Sequence, residues 1–413
     1  MSVNHESLPE DSNPKSILRD AARAPSLLFL FKTFLKIGSV AFGGYLAIVA
    51  MIERELSERQ KVVQHQTVLD AVALASTLPG PVAVNVVAYL GYSLRGLSGA
   101  LVSIVGVILP SFFLLIGFAL LYQRFGEVPA VESIFKGFLP AVVAIVIGVA
   151  WRLGKQSIKK PLQWVVFVSV ALVFSLLGGF LTALLCIVAS GALGVLAFRK
   201  EMKASVKGDE APGQAAHSIV PVLLLASSLT LATLALKFLA PPNMLRELWL
   251  SFSGMSLLMF GGGYVFIPMM KEVVVHQHHW LQTKEFADAI ALGQITPGPV
   301  MISATFIGFY VASFWGALIA TIGIFLPPAL LITLCSNLHQ RVANSPWVKA
   351  AYLGIRPCVV GLIINAAYVL ARACDPSVVS ALILVGALVA TLKYKLDSIY
   401  VVPVAGLVGF LFL

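Results

Sequence analysis

The chain has 413 residues, of which 59% are hydrophobic and only 12% are Asp, Glu, Lys or Arg, whereas a water-soluble domain runs at roughly 45–50% apolar and about 25% charged. That composition excludes a large soluble catalytic domain and specifies an integral membrane protein with the lipid bilayer as its solvent. The net charge of +10 does not point to nucleic acid, because the basic residues fall in short loops between apolar runs, where they orient helices in a membrane.

Residues 1–25 are polar and mixed in charge, lacking the basic end, apolar stretch and small-residue site of a secretory signal; they read as a cytoplasmic N-terminal tail. A bilayer crossing takes roughly 20 apolar residues, and apolar runs follow at 26–52, 68–94, 97–122, 137–151, 162–177 and 180–198. The stretch 199–218, with Lys200, Lys203, Lys207, Asp209, Glu210 and Pro212, reads as a cytoplasmic linker, and 219–245 as a connector helix. Further runs lie at 248–270, 286–312, 314–338, 348–370, 378–392 and 399–413. The expected fold is an all-α polytopic membrane protein with about 13 transmembrane segments. Basic residues favour the cytoplasmic side. Arg152, Lys155, Lys159 and Lys160 flank one side of a span pair, and Arg199, Lys200, Lys203 and Lys207 the other. This places the N-terminus inside and the C-terminus outside.

Cys186, Cys335, Cys358 and Cys374 are scattered and indicate neither a disulfide framework nor a metal site. His276, His278 and His279 cluster beside Trp280 without helical i, i+4 spacing, as in an interfacial loop, expected on the cytoplasmic side. No metal or cofactor is called for.

The chain repeats itself. Phe42-Gly43-Gly44-Tyr45 recurs as Phe260-Gly261-Gly262-Gly263-Tyr264, and Pro79-Gly80-Pro81-Val82 as Pro297-Gly298-Pro299-Val300. Glu53 pairs with Glu272, Asp70 with Asp288, Gly106 and Pro110 with Gly323 and Pro327, and Gly137 and Pro140 with Gly354 and Pro357. This gives a first transmembrane repeat at 26–198 and a second at 246–413. If each run crosses once, an odd number of crossings separates the two starts, which makes them inverted repeats, the plan of many secondary transporters. The inversion fails if the first Pro-Gly-Pro segment enters and leaves on one side.

The ordered series FGGY, IERE, TLPGPVAVN, GVILP and GFLPAVV, followed by FGGGY, ITPGPV, GIFLP and GIRPCVV, resembles the chromate ion transporter family in its long two-repeat form. The resemblance runs from Leu27 to the C-terminus. It implies a bacterial inner-membrane protein that exports chromate and confers resistance, with sulfate, a dianion of the same shape, as a second candidate substrate. Pairing with a second copy, as a homodimer, stays open.

Pro removes a backbone donor and Gly admits left-handed dihedrals, so helices are expected to break at the FGG and PGP motifs. Freed backbone groups inside a membrane are tolerated where they line a cavity, and half-helix N-termini attract anions. The candidate substrate-binding residues are therefore Gly43, Gly44, Thr77, Pro79, Gly80, Pro81 and Asn85 in the first copy. Gly262, Gly263, Thr296, Pro297, Gly298 and Pro299 are their counterparts in the second. A packing kink is the competing reading. Ionisable groups in or near spans are functional candidates. Glu53, Asp70, Glu272 and Asp288 suit proton carriage or salt-bridge gating, since a carboxylate repels a dianion. Lys36 and Arg356 are the deepest cations and suit charge neutralisation. No GxxxxGK[ST] loop or nucleophile motif occurs, which disfavours an ATP pump and an intramembrane lipid-phosphate enzyme; a passive anion channel remains the other alternative.

Overall fold

The structure is a computed structural model and describes residues 25–42, 45–126, 128–205, 243–259, 266–336, 346–396 and 398–413, with a few positions between 223 and 233. All regular structure among them is helical. In the first copy α1 is Leu27–Val40 and α2 is Tyr45–Ile52, continued by a π-helical turn at Glu53–Arg59. Then come α3 His65–Thr77, α4 Val82–Phe125, α5 Pro129–Ser157, α6 Pro161–Leu177 and α7 Phe180–Ser205. The second copy has α8 Met244–Leu257 and α9 Phe266–Lys271, continued by a π-helical turn at Glu272–Gln277. It goes on with α10 Thr283–Ile295, α11 Ser303–Ser336, α12 Pro346–Ala371, α13 Val378–Leu392 and α14 Ser398–Phe412. Helix α7 runs beyond the expected start of the linker at 199, to Ser205. Among the described residues five helices are long and apolar enough to cross a membrane, within α4, α5, α7, α11 and α12, and α6, α13 and α14 are shorter apolar helices.

The long helices α4 and α11 each break at matching positions. In α4 the break is at Arg95 (φ −144°, ψ 23°) and Gly96 (φ 62°); in α11 it is at Ala312 (φ −145°, ψ 37°) and Ser313 (φ 51°). Each break folds a short limb back against a long one. A Cβ on Gly91 would lie 2.5 Å from the Gly99 carbonyl oxygen, and one on Gly308 would lie 2.2 Å from that of Gly316. Only glycine permits backbones this close.

The expectation of about 13 crossings counted 26–52, 68–94, 248–270 and 286–312 as one span each. The structure folds these segments differently. Lys36 Nζ on α1 sits 3.0 Å from Glu55 just past α2, although 19 residues of straight helix would separate them by about 28 Å. Glu247 and Ser251 on α8 both reach His278, at 3.7 and 3.2 Å, and Glu285 at the start of α10 accepts a hydrogen bond from Tyr310 near the end of the short limb of α11. These three segments fold back on themselves as helical hairpins, the third with PGP at its tip, and 68–94 has the same helix, Pro-Gly-Pro, helix plan. Hydropathy cannot separate a broken span from a hairpin, because both are apolar throughout with a break at the centre.

The copies interlock. Helices α13 and α14 of the second pack on α5 of the first, and α6 and α7 of the first pack on α12 of the second. Glycines seat these crossings: a Cβ on Gly137 would lie 2.3 Å from the Ala405 carbonyl oxygen, and one on Gly354 would lie 2.0 Å from that of Ser190. Small residues that bring helix backbones together are the common glue where lipid supplies no hydrophobic drive.

Candidate functional site

The hairpin tips meet across the copies. The Gly80 N–H of the first PGP donates to the carbonyl of Met259, which precedes the second FGG, at 2.6 Å. The Gly298 N–H of the second PGP donates to the carbonyl of Ala41, which precedes the first FGG, at 2.8 Å. Both glycines have positive φ, +110° and +105°, the region that other residues rarely enter. A Cβ on Gly80 would lie 2.2 Å from the Cβ of Pro328, and one on Gly298 would lie 2.9 Å from Oγ of Ser111. Ser111 and Pro328 occupy matching positions in the two copies, so each PGP tip packs on the other copy's long helix.

The remaining sequence candidates fall around these tips or away from them. Pro79, Pro81, Pro297 and Pro299 flank the two glycines, with Pro81, Pro297 and Pro299 buried. Asn85 is buried and donates through Nδ2 to the Pro79 carbonyl at 3.1 Å, while its Oδ1 has no partner among the described residues. Thr296 donates to the Gly293 carbonyl at 3.0 Å, and Thr77 is the last residue of α3. Gly43, Gly44, Gly262 and Gly263 lie outside the described residues. Lys36 engages Glu55 with half of its side chain exposed, and Glu53 lies 2.6 Å from His65 Nδ1. The Glu55 carboxyl is held below its ordinary value by hydrogen bonds from Gln60 and then Lys36. Asp70 is half-buried and accepts from Gln66, one turn away on its own helix, at 3.0 Å. Asp288 is 4% exposed and accepts from Tyr122 Oη of the other copy at 2.7 Å.

Arg356 lies in a different setting. It stands at the mouth of a cavity of about 120 Å³ beside the first PGP tip, lined by Tyr45, Ser76, Val82, Leu153, Gln156, Ser157, Tyr352 and Val359. Its guanidinium lies 4.4 Å from the centre of the Tyr352 ring; Tyr352 sits one turn back on α12, so the cation is held by a ring on its own face. Arg152 and Arg356 both lie close enough to the Tyr45 hydroxyl to act on its charge. The cavity thus combines a guanidinium with hydroxyl and amide donors, the set that recognises an oxyanion. Tyr45 was legible as the residue after FGG, and Tyr352 as the i−4 neighbour of Arg356. Gln156 and Ser157 carry no local signal, since they arrive from the far end of α5.

The matching region of the second copy carries different side chains. Arg356 and Tyr352 correspond to Leu139 and Phe135, and Ser76 to Gln294. Helix α10 packs along α5 and α14, whereas its counterpart α3 barely meets α12. Polar contacts close that side: Lys284 Nζ to Glu132 at 2.8 Å, Lys136 to Glu132 and Asp375 at 3.7 Å each, and Tyr122 to Asp288. Among the described residues no cluster of His, Cys, Asp or Glu forms a metal site, and His278 instead stacks on Trp280 at 4.3 Å.

The family model described as chromate transporter matches the chain twice, at residues 28–195 and 246–410. The chain belongs to the chromate transporter family. A chromate transport protein of Cupriavidus metallidurans is 30% identical over 378 residues, 91% of this chain and 90% of that one. One of Pseudomonas aeruginosa is 28% identical over 100% of this chain and 99% of its own length. An uncharacterized transporter of Bacillus subtilis is 28% identical over 33% of this chain and 77% of its own length, so a protein built largely from one copy exists beside the duplicated form. No solved structure matches the chain. Family relatives are named as transport proteins, not enzymes, and the chain is a multi-pass membrane protein that serves chromate transport.

Proposed function

We propose that the chain is a secondary transporter that exports chromate, and sulfate as a dianion of the same shape, across the bacterial inner membrane, conferring chromate resistance. The observation that carries this reading is the cavity beside the first PGP tip, where Arg356, Tyr352, Tyr45, Ser76 and Gln156 surround space against broken backbone. The PGP residues serve as the wall and the pivot of this site, with Asn85, Thr77 and Thr296 at their flanks.

The hairpins support the orientation. With FGG and PGP segments entering and leaving on one side, Arg54, Arg59 and Lys61 join Arg95, Arg152 and Lys155 on the N-terminal face. Lys271, Lys284 and the His276–His279 stretch move to the opposite face, away from the cytoplasmic side expected of it. The basic bias grows, as the positive-inside rule requires of a cytoplasmic N-terminus. The crossings between the two repeat starts become the long limb of α4, α5, α6, α7 and the run at 219–239. Their number is odd, so the copies are inverted, with nine crossings in place of about 13. The cavity then opens to the cytoplasm, where chromate is loaded.

Direction follows from charge. Moving one charge is worth about 2.3 kcal/mol per 100 mV, so a dianion leaving a cell held at roughly 150 mV negative inside gains about 7 kcal/mol and needs no ATP. Inverted membrane vesicles carrying the chain, with a positive-inside potential imposed, are expected to accumulate chromate, and Arg356→Gln to lose most of the uptake at low chromate concentration while Arg356→Lys retains part of it. Equal uptake by wild type and Arg356→Gln, or none by wild type, overturns the reading. Saturation and counterflow distinguish the carrier from a passive channel.

A further inference from the structure

We propose that Asp70 and Lys349 form the ion pair that closes the cytoplasmic side of the cavity, in exchange for the Glu132–Lys284 and Tyr122–Asp288 contacts that close the opposite side. The proposal rests on the transporter reading above. The two copies carry the same interface twice: α10 against α5 on one side, and α3 against α12 on the other. The first is shut. Its closing groups are Lys284, Glu132 and Asp288, which all lie within electrostatic reach of one another, with the Tyr122 hydroxyl on Asp288 at 2.7 Å.

The second interface is open and holds the cavity. Position by position, Asp288 corresponds to Asp70, Lys284 to Gln66 and Glu132 to Lys349. The charge has changed helix: on the shut side the cation sits on the hairpin and the anion on the long helix, and on the open side Lys349 is on the long helix. Asp70 is the only carboxylate on α3, one turn from Gln66 and hydrogen-bonded to it at 3.0 Å. Moving α3 onto α12 in the geometry that α10 adopts on α5 brings Gln66 to Lys349 and sets Asp70 in the place from which Asp288 faces Lys284 and Glu132. Lys349 stands two helical turns outward of Arg356, at i−7 on the same stripe of α12. Closing this pair therefore covers the cavity from the cytoplasmic side. Charged contacts that form on one side at a time give two closed arrangements for the two ends of a transport cycle.

Charge exchange tests the pair. Asp70→Lys and Lys349→Asp are each expected to lower chromate uptake by inverted vesicles about tenfold, and the double exchange to restore most of it. The Glu132→Lys with Lys284→Glu exchange serves as the matched control. A double exchange no better than either single variant, beside recovery in the control, overturns the proposal. A second measurement does not depend on flux. With native cysteines replaced, Gln66→Cys and Lys349→Cys joined by a short bifunctional thiol reagent are expected to shield Ser76 in the cavity from a cytoplasmic thiol reagent, read on a Ser76→Cys background. Unchanged labelling of Ser76→Cys after cross-linking overturns it. If wild type shows no chromate uptake, the transport reading fails instead, and the cross-link still decides the gate.

Discussion

The interface of α3 with α12 and that of α10 with α5 descend from one repeated plan, yet one encloses a polar cavity and the other is bridged by Lys284–Glu132, with Tyr122–Asp288 beside it. Both hairpins have a PGP tip with a positive-φ glycine, and both tips bond to the other copy's FGG entry. The difference lies in what the long helix presents. Arg356 and Tyr352 on α12 face the cavity, where α5 has Leu139 and Phe135. Duplication supplied two equivalent frames, and divergence put the guanidinium and its aromatic ring on one of them. A cycle that alternates between the frames then needs only one binding site per chain.

The largest expected effect is at Arg356. Hydrogen bonds to charged groups are worth about 1.5–3 kcal/mol, so Arg356→Gln is expected to weaken chromate binding by roughly ten- to a hundredfold, measured as the concentration giving half-maximal uptake. Leu139→Arg, at the matching place on α5, is expected to destroy the sealed side rather than create a second site, read as reduced yield of folded protein. Next come the tip glycines. Gly80→Ala puts a Cβ 2.2 Å from the Pro328 Cβ, and Gly298→Ala puts one 2.9 Å from a serine hydroxyl that can turn away. Both carry the cost of positive φ, so Gly80→Ala is expected to lower thermal stability more than Gly298→Ala, as scored by the melting of detergent-solubilised protein.

Tyr122→Phe removes one hydrogen bond from buried Asp288 and leaves the ring. It is expected to cost about 1–3 kcal/mol of closure on the shut side and to raise thiol labelling of Gln294→Cys, which leaves Asp288 in place, from the periplasmic face. Lys36→Gln breaks only an exposed pair, worth less than about 1 kcal/mol. Uptake is expected to stay near wild type, and a large loss would restore Lys36 as a substrate-neutralising cation.

The sequence carried the membrane class, the duplication and the helix breaks, because composition and doubled Gly-Pro motifs have direct conformational meaning. Arg356 stood out as a cation beside Pro357 inside an apolar run. The hairpins were hidden by hydropathy, although the positions of Arg54, Arg59 and Lys61 on the outer face of the 13-span reading were a signal against it. The split between Asp70 and Asp288 was not legible, since the residues are identical and their environments differ through Tyr122, which lies 166 positions away from Asp288. The PGP glycines also make room for the other copy's long helix, a contact with no local signal in the sequence.

The most direct test of alternating frames with one open cavity is side-specific labelling of matched positions. In a chain with its native cysteines replaced, Ser76→Cys and Gln294→Cys occupy equivalent places beside the two tips. With Asp70→Asn holding the cytoplasmic gate open, the account predicts that a membrane-impermeant thiol reagent labels Ser76→Cys in inverted vesicles and not in intact cells, and leaves Gln294→Cys unlabelled in both. Labelling of Gln294→Cys from the periplasm with Ser76→Cys protected, or labelling of both at once, would contradict it.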